Sequence, residues 1–208
     1  MYGGRDNDTY VYNNVGDKVV EGSGNNTGIV TVQSIYGFSL SNTTQFQGDI
    51  ENAELRGYNN VNVSGNVLNN KLTGNAGSNT IYGGAGQDVI NGFTGNDTLY
   101  GQAGPDRFVF STTPNATSNM DKIADFNVVD DNIWLDNAAY KAFSAPGVLS
   151  ASAFHIGAAA HDADDRIIYN SATGALFYDS NGSATGGSVQ FATVSKGLAI
   201  TNADFLIV

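Results

Sequence analysis

Asp88, Asp97 and Asp106 recur every nine residues, each in a glycine-flanked segment, and Asn70 and Asn79 hold the two preceding places. Carboxylates gathered in turns repel one another unless a cation lies between them. The short aspartate side chain suits a turn, where it can reach backbone groups or a metal, whereas solvated helical faces use glutamate freely. The chain carries 17 aspartates against 3 glutamates (Glu21, Glu51 and Glu54). That imbalance points to turns with oxygen ligands. A hard divalent cation, taking about six to eight oxygens from carboxylates and freed backbone carbonyls, is the natural occupant.

The elements that must position these residues follow from the repeat. From Gly65 the chain reads GNVLNNKLT, GNAGSNTIY, GGAGQDVIN, GFTGNDTLY and GQAGPDRFV, five contiguous nine-residue copies ending at Val109. Position one is Gly65, Gly74, Gly83, Gly92 and Gly101, and position four is glycine in the last four copies: Gly77, Gly86, Gly95 and Gly104. Position six holds the aspartates and asparagines, and position eight is Leu72, Ile81, Ile90, Leu99 and Phe108. An isolated copy at Gly3 to Val11 puts Asp8 at position six. Glycines at positions one and four are expected to supply positive φ in tight turns. The large apolar residue sits between two others on a short strand, so it alone faces inward.

Nine residues then make one strand and one turn, and two copies make one coil of a solenoid with two parallel strands. Copies 18 residues apart stack about 4.8 Å from each other. This places Asp88 with Asp106 on one side and Asn79 with Asp97 on the other. The formal position-six charge is −1 for Asn70 with Asp88, −1 for Asn79 with Asp97, and −2 for Asp88 with Asp106. Affinity rises with ligand charge, so the Asp88/Asp106 site is expected to fill first.

Composition removes other functions. The net charge is 9 − 20 = −11, which argues against nucleic acid and anionic membranes as partners. Without cysteine there is no disulfide and no thiolate ligand. No apolar run approaches the roughly 20 residues of a membrane span. The polar segment Met1 to Tyr12 is not a cleavable secretory signal. His155 and His161 make no HExxH, and no serine–histidine–aspartate arrangement or phosphate loop is evident. No catalysis is expected of this chain.

The nonapeptides resemble the GGxGxDxUx repeat (U a large apolar residue) of RTX, or repeats-in-toxin, hemolysin-type calcium-binding proteins. The resemblance implies an all-β fold, a parallel β-roll that binds several Ca2+ ions. It implies metal ligands among Asp88, Asp97, Asp106, Asn79, Gly83, Gly86, Gly95, Gly101 and Gly104, with Asp8, Asp121 and Asp125. Tyr12 to Asn60 is similar to the spacer between repeat blocks, and its alternating segments are expected to prolong the stack. Asp121 to Phe126 and Asp131 to Leu135 resemble the segment that closes the roll in serralysin-type metalloproteases, whose zinc motif this chain lacks. The end, Asn202 to Val208, resembles the uncleaved carboxy-terminal signal of type I secretion substrates. The resemblance thus implies an extracellular module that folds on calcium outside the cell and is exported by type I secretion machinery.

Three regions are expected: an amino-terminal repeat remnant and β spacer at 1–64, the nonapeptide roll at 65–110, and a carboxy-terminal cap and secretion-signal region at 111–208. In the last, Arg166 to Asn170 and Gly174 to Asp179 read as a hairpin, and Val189 to Val194 as a further strand. Asp179-Ser180-Asn181-Gly182 begins like an EF-hand loop but fails at Ala184 and Gln190, so a turn is expected. Asp162, Asp164 and Asp165 read as a solvated loop, with metal contact as the alternative. Tyr82 and Tyr100, 18 apart, should stack on one exposed sheet, where glycan binding competes with simple strand stabilisation. Because Met1 falls directly before a repeat, the alternative function is the carboxy-terminal piece of a secreted enzyme (protease, lipase or polysaccharide-modifying) or adhesin with its active domain upstream.

Overall fold

The inward residue of each copy builds the core. The computed structural model describes residues 1–2, 6–21 and 28–208. Leu72, Ile90, Phe108 and Ile133 lie over one another in parallel strands, and each has no exposed surface. Tyr10, Val32 and Ala53 extend this column at one end and Phe205 at the other. A second column stacks Val63, Ile81, Leu99 and Ile123, also without exposed surface. Burying each such side chain is worth about 1.5–3 kcal/mol, so the two columns carry the fold's apolar stabilisation.

The described residues form two nine-stranded sheets and a small two-stranded one. The first sheet runs Asp8–Tyr12, Val30–Ser34, Asn52–Leu55, Lys71–Thr73, Val89–Asn91, Arg107–Phe110, Asn132–Leu135, Phe205–Ile207 and Gly147–Val148. The second runs Phe154–Ile156, Ile167–Asn170, Ala175–Asp179, Ser188–Thr193, Asp121–Ile123, Thr98–Ala103, Thr80–Ala85, Val63–Ser64 and Phe38–Ser39. The predicted 18-residue step holds from Lys71 to Val89 to Arg107 and from Val63 to Ile81, and on by Thr80 to Thr98. The spacer prolongs the stack with longer steps: 22 from Asp8 to Val30, 21 from Thr31 to Asn52 and 19 from Asn52 to Lys71. Register is kept because the surplus residues lie between strands. Two such excursions meet in the small sheet of Val19–Val20 with Phe46–Gln47, beside a cluster of Tyr12, Phe38 and Phe46 with centroids 5.4–5.9 Å apart.

Past the repeats, the step grows to 25 from Arg107 to Asn132 and to 72 from Ile133 to Phe205. The intervening chain extends the second sheet with the antiparallel hairpin Ile167–Asn170 and Ala175–Asp179, as expected, and with Ser188–Thr193. Tyr140, Tyr178, Phe110 and Phe191 pack edge-on there at 5.0–5.6 Å. Phe205–Ile207 then returns as an interior strand of the first sheet, led by a Thr201–Asp204 capping box.

Candidate metal centre

Each position-six side chain stands where one coil passes over the next. One carboxylate oxygen of Asp88, Asp97 and Asp106 accepts a backbone N–H from the coil before it. Asn70 N donates to Asp88 Oδ1 (2.7 Å), Asn79 N to Asp97 Oδ1 (2.7 Å) and Asp88 N to Asp106 Oδ1 (2.9 Å). Asp121 and Asp131 continue the two ladders, accepting from Asp97 N (3.0 Å) and Asp106 N (2.9 Å). The expected pairing of turns 18 apart is therefore present.

The second oxygen is different. Oδ2 of Asp88, Asp97 and Asp106 is buried and has no hydrogen-bond partner. A buried acceptor left so costs about 1–3 kcal/mol, and more when charged. Burial pushes the carboxyls up, Asp88 to about 6, Asp106 to about 7 and Asp97 to about 8, with the Asp121 charge adding to the rise at Asp97. Burial also raises Asp121, to about 7. A cation among these oxygens would favour the charged carboxylates and so oppose all four shifts.

The position-one glycines leave room beside the orphaned oxygens. A Cβ on Gly83 would strike Asp88 Oδ2 and the Gly101 carbonyl oxygen together. On Gly92 it would strike Asp97 Oδ2, and on Gly101 it would strike Asp106 Oδ2. The residues thus fit a calcium ion: each site has a buried carboxylate oxygen lacking a partner beside a position that admits no side chain, and at Asp88 the Gly101 carbonyl oxygen approaches the same position.

Backbone conformation corrects one expectation. The position-one glycines do not adopt positive φ; close approach is what excludes a side chain there. Positive φ falls at position four at Gly86 (115°), Gly95 (119°) and Gly104 (126°) but not at Gly77, and also at position two, at Gly84 (117°), Phe93 (73°) and Gln102 (71°). A Cβ on Gly86, Gly95 or Gly104 would in addition meet a carbonyl oxygen of the coil before it: Leu68, Gly77 or Gly86.

The remaining expected ligands are placed differently. Asn79 is fully engaged: Oδ1 accepts from Asn75 N (2.9 Å), and Nδ2 donates to Val61 O (2.7 Å) and Asn75 Oδ1 (3.1 Å). Asp125 accepts from Gly101 N and Gln102 N, both at 3.0 Å, one on each oxygen. Asp8 lies in the end strand of the first sheet, separated from Asp88's coil by three strands. Gly3, Gly4 and Arg5 of its copy lie outside the described residues. Asp131 is the ladder residue that the nine-residue phase missed. Its signal was aspartate two residues before a buried apolar residue, as Asp131 precedes Ile133.

Away from the ladders, Tyr82 and Tyr100 stack as expected, with centroids 4.8 Å apart and planes at 16°, each covering one face of the other. Asp179 Oδ1 accepts from Asn181 N (3.0 Å), forming the expected turn. Asp165 is buried and accepts from His161 N and Asp162 N, while His161 Nδ1 lies 3.3 Å from Asp162 Oδ2. No helix among the described residues is long and apolar enough to cross a membrane.

Residues 64–92 and 73–108 match the family model of the RTX calcium-binding nonapeptide repeat, in four copies. No curated protein matches the chain. Among solved structures, it is similar to the AlgE6R3 subunit of the Azotobacter vinelandii mannuronan C5-epimerase, at 21% identity and a TM-score of 0.45, over 74% of this chain and 77% of that one. Residues 64–108 are a block of RTX calcium-binding nonapeptide repeats, wound at the centre of a parallel β-roll.

Proposed function

We propose that this chain is a calcium-ordered module of an exported protein, with Asp88, Asp97 and Asp106 as its carboxylate ligands. The observation that carries the reading is the set of three buried, unpartnered Oδ2 atoms in consecutive turns. Asp121 lies next in the Asp97 ladder, and Gly101 O approaches the Gly83 position together with Asp88 Oδ2. Asn79 and Asp125 have their oxygens committed to N–H donors and stand outside the ligand set. Bound calcium supplies charge neutralisation; the chain's residues supply the cage.

Low calcium leaves the three turns opposed by their own charge, and millimolar calcium adds binding free energy to folding free energy. Extracellular calcium modules bind at about 10⁻⁴–10⁻³ M, which suits folding after export. The tail supports the same order of events. Phe205 and Ile207 are buried strand residues, so a signal in Asn202 to Val208 is readable by type I machinery only before folding. Circular dichroism in chelator and then in calcium tests the ordering, with magnesium as control. Export from cells bearing a type I system, with and without residues 202–208, tests the signal. A spectrum indifferent to calcium contradicts the first part, and export unaffected by the deletion contradicts the second.

A further inference from the structure

The ladders hold seven such residues: Asp88, Asp97 and Asp106 leave one oxygen buried without a donor, Asp121, with Thr117 four places earlier, is neither orphaned in this way nor closed, and three remain. In the other three, the residue four places earlier closes onto it. Asn66 N donates to Asn70 Oδ1 (2.8 Å), Asn75 N to Asn79 Oδ1 (2.9 Å) and Asn127 N to Asp131 Oδ2 (2.9 Å). The closing residue is asparagine each time, and its own Oδ1 accepts the N–H two residues on, from Leu68, Gly77 or Val129. At Asp88, Asp97 and Asp106 the corresponding residue is Gly84, Phe93 or Gln102. Each has positive φ, and none donates to the aspartate.

The identity at position six does not sort these turns, because Asp131 is an aspartate in a closed one. Position two does. An asparagine there folds over its own side chain and turns its N–H inward, so a neutral donor fills the place of a cation. A left-handed residue there turns the N–H away and leaves the oxygen for metal. Phe93 and Gln102 hold a conformation that costs a residue with a Cβ about 1–2 kcal/mol, so the surrounding turn maintains it.

We infer that repeat position two selects between a metal site and a metal-free hydrogen-bonded turn, so that Asp88, Asp97 and Asp106 each hold calcium while the Asn70, Asn79 and Asp131 turns close without it. The inference rests on the calcium reading proposed above and adds a rule that the nonapeptide pattern alone does not contain. It makes the asparagine copies a metal-independent end against which the calcium-dependent coils stack.

The test is a calcium titration by calorimetry of the full chain, with hydrogen exchange in chelator as a second readout. Asn75→Gly with Asn79→Asp should open the second copy and add one bound calcium. Asn79→Asp alone, with Asn75 retained, should add none. Phe93→Asn should weaken one site by about tenfold or more, the strength of a charge-assisted hydrogen bond, while Phe93→Gly leaves all sites intact. In chelator, the Asn66 and Asn75 amides, bonded within their own turns, should stay protected while those of residues 84–106 exchange. A calcium gained by Asn79→Asp alone, or equal behaviour of the two Phe93 variants, overturns the selector but leaves the calcium reading standing. No calcium bound by the unaltered chain overturns the calcium reading itself.

Discussion

Asp97→Asn should make the metal-free protein more stable, the reverse of what removing a ligand usually does. In chelator, Asp97 Oδ2 is a buried acceptor with no donor, a defect costing about 1–3 kcal/mol. The amide removes the charge and puts a donor in place of the orphaned acceptor. For a chain of this size, about 2–4 °C of melting temperature accompanies each kcal/mol, giving a rise of roughly 2–12 °C. The gain must depend on pH. Burial raises the Asp97 carboxyl to about 8, above its unfolded value. Its contribution to stability is therefore present at low pH and lost as pH rises through about 8. Near pH 4, close to the unfolded value, folding needs little proton uptake and the acid can itself donate, so the substitution should add little; at pH 9, above the folded value, it should add the whole increment. Thermal unfolding followed by circular dichroism in chelator, at both pH values, reads this directly. A variant less stable than the parent at pH 9, or an increment equal at the two pH values, refutes the reasoning.

Other substitutions separate metal from core. Leu99→Ala removes a fully buried side chain between Ile81 and Ile123. It should cost about 2–5 kcal/mol in urea denaturation of the calcium-loaded chain, with the number of bound ions unchanged. Gly101→Ala puts a methyl against Asp106 Oδ2, and calorimetry should show that site lost. Asp106→Asn should lower apparent calcium affinity more than Asn79→Ala, because Asn79 is committed to hydrogen bonds; equal effects in a titration would contradict the assignment. Lowering the pH from 8 to 5 should weaken calcium binding at all three aspartates, since their raised values put protons in competition with metal; binding unchanged between pH 8 and 5 would remove them as ligands.

Much of this architecture is legible in the chain because one residue in nine does one job. The apolar position eight fixes the inner columns, and the 18-residue step fixes which aspartates meet. The hairpin around Ser171–Gly174 is legible for a similar reason: two β-rich runs flank a turn that needs glycine, and Gly174 has φ 84°. The role of the position-one glycines is not legible. A close approach by Asp88 Oδ2 is a fact of the neighbouring backbone, and glycine looks the same whether space or φ demands it. Asp131 escapes notice because the 25-residue step from Arg107 to Asn132 breaks the phase, although the ladder tolerates it by enlarging a loop. The split between open and closed turns was hidden because attention to carboxylates leads to position six, whereas a backbone N–H at position two decides whether the oxygen has a partner.

The most direct measurement is the number of calcium ions bound by the unaltered chain, by calorimetry at neutral pH with magnesium as competitor. Three calcium ions, not displaced by equal magnesium, is the predicted result, one for each buried aspartate oxygen without a donor. No binding, or displacement by magnesium at equal concentration, would contradict the claim that these turns are calcium sites.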